Sequence, residues 1–227
     1  LESALRGSSA VAVIAELKRA SPSRGALNEQ MDQRQRGRDY AAGGARALSV
    51  LTEPDEFGAR PNDLFDVASA VTLPILQKDF HVGEAQVWEA RARGASALLL
   101  IARALAPAAL RDLVAVALGA GIEPLVEVRS EDELALALDA QVRLIGVNAR
   151  NLETLAIEPN VSARLLPLVP RQCVAIAESG IITRGDVEAA AAMGADAVLV
   201  GSSLSTAADA REAVRALVGV LRASRAP

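Results

Sequence analysis

The chain contains one cysteine, Cys173, so no intramolecular disulfide can form, which fits a reducing compartment. It contains one histidine, His81, which excludes a multi-histidine metal site. Aromatic residues make up only 2%, so the core has to be built from Ala, Val, Leu and Ile. A long apolar run is missing as well; Arg103 breaks the best candidate before it reaches the length of a membrane span. There is no basic excess, and a formal net charge of −4 argues against a nucleic-acid surface. No basic and apolar leader precedes Leu1, so a signal peptide is not expected and a cytoplasmic protein is. The lack of an initiating methionine points to a start that is processed, trimmed or only partly represented.

What is there is globular. The 227 residues are 51% hydrophobic and 23% charged, enough for one domain with a substantial core. Short apolar runs fall at 11–18, 46–52, 74–80, 96–102, 123–128, 143–148, 173–178 and 197–201. Segments with helical spacing, such as 107–119 and 131–139, lie between them. Gly43-Gly44, Gly94, Gly119 and Gly194 sit where a helix should end before the next strand. Buried runs alternating with helices mean parallel strands joined by crossover helices. Eight such units with no composition shift predict a single (β/α)8 TIM-barrel domain over 1–227. An open doubly wound sheet is the alternative, because periodicity alone does not establish closure.

Barrel enzymes work at the carboxyl ends of their strands. Those ends carry Glu16 and Lys18, Lys78, Glu127, Asn148 and Glu178. Side chains alternate along a strand, so Ile14 shares a face with Glu16 and Lys18, Leu76 with Lys78, Leu125 with Glu127, and Ile176 with Glu178. If the apolar members fill the interior, three carboxylates and two ammonium groups meet in the barrel mouth, with Arg150 nearby. Burying them under the helices would be costlier. One such charge alone would read as a structural ion pair. Five on four strand ends read as acid–base machinery. A second constellation, Ser179-Gly180 and Gly201-Ser202-Ser203, follows the seventh and eighth runs, where this fold holds phosphate.

The run from Ile14 to Gly25, Ile-Ala-Glu-Leu-Lys-Arg-Ala-Ser-Pro-Ser-Arg-Gly, resembles the first-strand signature of the indole-3-glycerol-phosphate synthase family. So do Leu48-Ser49-Val50-Leu51-Thr52-Glu53, Gln77-Lys78-Asp79-Phe80, Leu125-Val126-Glu127-Val128, the run from Ile145 to Leu152, and Glu178-Ser179-Gly180-Ile181. The resemblance extends from about Ala10 to the eighth strand. It implies closure of 1-(2-carboxyphenylamino)-1-deoxyribulose 5-phosphate to indole-3-glycerol phosphate, with loss of carbon dioxide and water, in tryptophan biosynthesis. It implies no metal and no organic cofactor, a phosphorylated small-molecule substrate, and neither nucleic acid nor membrane as partner. Association with a neighbouring pathway enzyme is left open.

Carried over by motif, Lys78 is the general acid at the ribulose carbonyl and Glu127 the acid–base group of the dehydration. Lys18 holds the substrate and shares in proton donation. Glu16, Asn148 and Glu178 orient the lysines and sugar hydroxyls, and Arg150 supports the carboxylate region. Ser21, Ser179, Gly180, Gly201 and Ser202 are expected at phosphate, with Pro22 and Phe80 walling the aromatic ring. Some positions depart from the family pattern. Ala149 replaces a polar residue, His81 replaces an apolar one and reads as a loop histidine, and the loop at Phe57-Gly58 lacks a second glycine. The family also carries a helical extension ahead of the first strand, whereas this chain starts almost at that strand. The rivals are another phosphosugar barrel, such as an Amadori isomerase, and a barrel that binds phosphorylated ligands without turnover.

Overall fold

The computed structural model describes residues 1–223 and 225. The apolar runs become eight parallel strands: Ala12–Leu17 (β1), Ala47–Leu51 (β2), Ile75–Lys78 (β3), Ala97–Ile101 (β4), Glu123–Val128 (β5), Leu144–Asn148 (β6), Val174–Glu178 (β7) and Ala197–Val200 (β8). Each strand pairs with the next, and β8 pairs back onto β1, with Ala12 opposite Ala197 and Ile14 opposite Leu199. The sheet is therefore closed, and the open doubly wound alternative falls. The run at 74–80 is the most shortened. Beyond Lys78, the Asp79 carboxylate accepts from the Thr52 hydroxyl at 2.5 Å and from the Phe80 backbone N–H at 2.8 Å, turning the chain out of the ladder.

Helices Pro107–Gly119 and Glu131–Asp139 occupy the spans their spacing predicts. The first has proline in its opening turn. In the second, the Glu133 backbone N–H donates to the Ser130 hydroxyl at 3.1 Å, a cap that contributes about 1 kcal/mol. Gly44, Gly94 and Gly194 adopt the positive φ expected at helix ends. The fourth helix end differs: Gly119 remains helical, and Gly121, with φ of 70°, makes the left-handed turn.

Alternation along the strands divides two cores. Val13, Ala15 and Leu17 of β1 point outward and belong to the outer cluster, which also holds helix residues such as Tyr40, Val87 and Leu110. Ile14, Leu76, Leu125 and Ile176 point into the barrel, as parity required. Near the amino ends of the strands the inward residues are small (Ala12, Ala47, Ala97 and Ala197), and alanines cannot fill a barrel of this width. A short helix unread in the sequence, Glu2–Arg6, supplies the volume, because Leu1 and Leu5 join the inner cluster, 7% and 0% exposed. Its Glu2 backbone N–H donates to the inward carboxylate of Glu123 on β5 at 2.7 Å. At the other end of β1 the chain makes a small hairpin, Ala20–Ser21 against Gly25–Ala26, over the barrel mouth. Among the described residues, no helix is long and apolar enough to cross a membrane.

Candidate active site

Continuing the inward alternation upward, β1 reaches Glu16, β5 Glu127, β6 Asn148 and β7 Glu178, each 5% exposed or less. Lys78 ends β3, and Lys18 lies just past β1. All six line one cavity of about 480 Å³ at the carboxyl end of the barrel. Lys78 Nζ lies 2.5 Å from Glu178 Oε2 and 3.6 Å from Glu127 Oε2, while Lys18 Nζ lies 2.8 Å from Glu16 Oε1. The charges expected to converge do converge.

Their electrostatics follow from confinement. Burial alone would depress the Lys78 ammonium, but the Glu178, Glu127 and Glu16 carboxylates outweigh it and hold its pKa above the ordinary lysine value. Burial pushes the Glu16 carboxyl upward, and Lys18 and Lys78 overcome it, holding that pKa below the usual range. Glu178 goes the other way. Burial, reinforced by Glu127 and Glu16, raises it to about 7 against the pull of Lys78. One oxygen of Glu178 binds Lys78, and the other, Oε1, is buried with no hydrogen-bond partner among the described residues.

Two glycines make the cluster sterically possible. Gly146 occupies the inward position of β6 below Asn148, and a Cβ there would overlap Glu178 Oε1 and press on Leu125 Cδ2 at 2.9 Å. Gly201 follows β8 directly, where a Cβ would overlap Glu16 Oε1 and come within 2.7 Å of Lys18 Nζ. Gly201 was expected at phosphate, and it also makes room for the Glu16–Lys18 pair. Gly146 was given no role from sequence. The signal was available, since a glycine inside a strand marks close approach by a neighbouring group.

Ser179, Gly180, Gly201 and Ser202 line the same cavity. Ser179 and Gly180 both adopt positive φ (67° and 81°), and a non-glycine residue held there is the kind of local strain that gathers at functional sites. Ser203, the last member of the Gly201-Ser202-Ser203 constellation, also lines the cavity and buries a hydroxyl with no hydrogen-bond partner among the described residues. Phe80 and Arg150 are on the wall, joined by Arg24 and by the apolar rim of Leu152, Ile157 and Ile182. The Arg150 backbone N–H donates to Asn148 Oδ1 at 2.9 Å, and its Nη1 to the Leu155 carbonyl at 2.7 Å.

Two expected residues are not brought to the wall. Ser21 is buried at the hairpin base with its hydroxyl unpartnered among the described residues, and Pro22 is exposed. His81 lies outside the cavity, buried, with Nδ1 donating to the Leu99 carbonyl at 2.8 Å; burial depresses its pKa. Ala149 is buried behind the β6 end. The loop at Phe57 is built as a short helix, Pro54–Phe57, that closes on Gly58 at φ of 67°.

A closed barrel whose mouth gathers buried lysine and carboxylate side chains beside serines and glycines has the build of a (β/α)8-barrel enzyme with its site at the carboxyl ends of the strands. Solved structures agree on the fold. Thiamine phosphate pyrophosphorylase from Pyrococcus furiosus superposes with a TM-score of 0.68 at 16% identity, covering 95% of each chain. 3-Hexulose-6-phosphate synthase from Salmonella typhimurium gives 0.69 at 16% identity, covering 91% of this chain and 96% of its own. Sequence comparison is more specific. The family model described as indole-3-glycerol phosphate synthase matches residues 1–217. Indole-3-glycerol phosphate synthase 1 of Streptomyces coelicolor is 49% identical over 215 residues, 95% of this chain and 80% of the relative. The Rhodococcus jostii synthase is 49% identical over 208 residues, 92% and 77% of the two chains. The chain belongs to the indole-3-glycerol phosphate synthase family, carboxy-lyases of tryptophan biosynthesis.

Proposed function

We propose that these residues, working as one barrel unit, close the indole ring of 1-(2-carboxyphenylamino)-1-deoxyribulose 5-phosphate through the cluster around Lys78. The observation that carries this reading is the placement of Lys78 between Glu178 and Glu127, in one cavity with Lys18–Glu16 and the cradle. The cluster's composition adds support. Of the 24 basic residues only two are lysines, and both are here. Arginine cannot release a proton under physiological conditions, so lysine kept at two positions suits proton transfer better than charge alone.

The ring carbon bearing the carboxylate attacks the ribulose carbonyl, forming the new carbon–carbon bond. The carbonyl oxygen takes a proton from Lys78 and becomes a hydroxyl. The carbon–carboxylate bond then breaks, carbon dioxide leaves, and the freed electron pair restores the aromatic ring. Finally the hydroxyl leaves as water and a proton leaves the adjacent methylene, with Glu127 as the acid–base group and Lys18 sharing in donation. Glu178, raised to about 7, ionises and protonates readily at neutral pH and supports Lys78 through the cycle. Ser179, Gly180, Gly201 and Ser202 hold the phosphate end; Phe80 flanks the ring; Asn148 and Glu16 orient the sugar hydroxyls and Lys18. We place the activity in the cytoplasm, where the buried Cys173 thiol stays reduced. Indole fluorescence appearing on mixing protein and substrate, with binding of a phosphorylated ligand as control, tests the function. Ligand binding without fluorescence would leave only a binding barrel.

A further inference from the structure

We propose that Arg24 and Arg150 together grip the substrate's carboxylate, so that the site holds the substrate in preference to its own decarboxylated product. The inference rests on the ring-closing function above and adds a specificity residue, Arg24, to it. Both arginines line the catalytic cavity. Among the described residues, neither guanidinium forms an ion pair; Arg150 Nη1 is bound only to the neutral Leu155 carbonyl. The other carboxylates on the cavity wall are engaged. Glu16 pairs with Lys18, Glu127 and Glu178 flank Lys78, Glu53 accepts from the Asp55 and Glu56 backbone N–H groups, and Asp79 from Thr52 and Phe80.

Two like charges facing one cavity repel each other. Arg150 registers this: burial first, and then the Arg24 charge, depress its pKa. An anion placed between them converts that repulsion into two attractions, and a planar carboxylate matches the guanidinium fork. Arg24 is able to close on such a group. It is exposed at the turn of the 20–26 hairpin, where its backbone N–H donates to the Ser21 carbonyl at 3.2 Å. Gly25 beside it, at φ of 64°, has no neighbour within 4 Å of the position a Cβ would take. The phosphate has its own donors at Ser179–Gly180 and Gly201–Ser203, so the carboxylate is the anionic group still requiring counter-charge. The product keeps the phosphate and has lost the carboxylate, so it has nothing to bridge the two arginines.

The test compares KM for the substrate with Kd for indole-3-glycerol phosphate, in the parent chain and in Arg24→Gln and Arg24→Lys. Hydrogen bonds to a charged group set the expected scale: Arg24→Gln raises KM roughly 10- to 100-fold and leaves product Kd unchanged, with Arg24→Lys between parent and Gln. Equal weakening of substrate and product would move Arg24 to the phosphate and overturn the proposal, as would an unchanged KM. A parent chain that fails to turn over would overturn the function itself, a separate result. Arg24 is exposed, so an unaltered thermal midpoint in both variants confirms that folding is not being measured.

Discussion

The same eight strands line both ends of the barrel interior, and their inward side chains obey the same alternation, yet the two ends are chemically opposite. At the amino ends the inward positions are Ala12, Ala47, Ala97, Leu144, Val174 and Ala197, sealed by Leu1 and Leu5. Four residues further on, the same faces present Glu16, Asn148 and Glu178, and β5 presents Glu127, with Lys78 and Lys18 between them. The lower half is apolar area removed from water, the ordinary source of stability. The upper half confines charges that burial alone disfavours, held in place by pairing. Stability and chemistry are thus separated by two steps of side-chain alternation, so substitutions in the two layers should fail in different ways.

The largest effect is expected from Lys78→Ala. Turnover should fall by roughly two to four orders of magnitude, the scale of a positioned proton donor. Near-parental turnover would reject Lys78 as the acid. In the lower layer, Leu5→Ala should cost about 2–5 kcal/mol in denaturant unfolding and leave kcat and KM unchanged. A loss of kcat there would show that the two layers are coupled. Gly146→Ala tests the boundary between them. The added methyl displaces Glu178 from Lys78, and misplacement on the ångström scale lowers kcat about a hundredfold.

Glu178→Gln sharpens the contrast through pH. A carboxyl whose folded pKa is raised from 4.5 to about 7 favours folding most when protonated, and that contribution is lost as pH climbs between those values. The Gln variant stays neutral throughout. Its thermal midpoint relative to the parent should therefore rise from pH 5 to pH 8 even as its activity drops; a constant difference would show that Glu178 ionises normally. The smallest effect is expected at His81. His81→Gln should cost about 1 kcal/mol through the lost bond to Leu99 and leave turnover unchanged.

Period and parity carried most of the fold into the sequence. All eight strands lie within the apolar runs, because a strand buried on both faces is written as an uninterrupted run with turns on either side. The five charged residues at the centre of the site were legible for the same reason: a charge two or four places beyond an inward Ile or Leu has to share its face. What escaped depended on packing between distant segments. The Glu2–Arg6 helix is too short to show a period, and its role appears only when the alanine-lined barrel floor is seen to need filling. Gly146 matters because of Glu178 on the neighbouring strand, and Arg24 because a hairpin folds it back over the mouth. Ser21 and Pro22 were placed by motif, and their side chains lie off the cavity wall.

Within these 227 residues the protein's outer surface is entirely without lysine side chains, since Lys18 and Lys78 are both enclosed in one cavity. Acetylation, reductive alkylation and isopeptide tagging, which on most proteins decorate the exterior, therefore find no side-chain amine on the outside of these residues. Inside the chamber the surrounding carboxylates hold the Lys78 amine as an ammonium ion, the form such reagents do not attack.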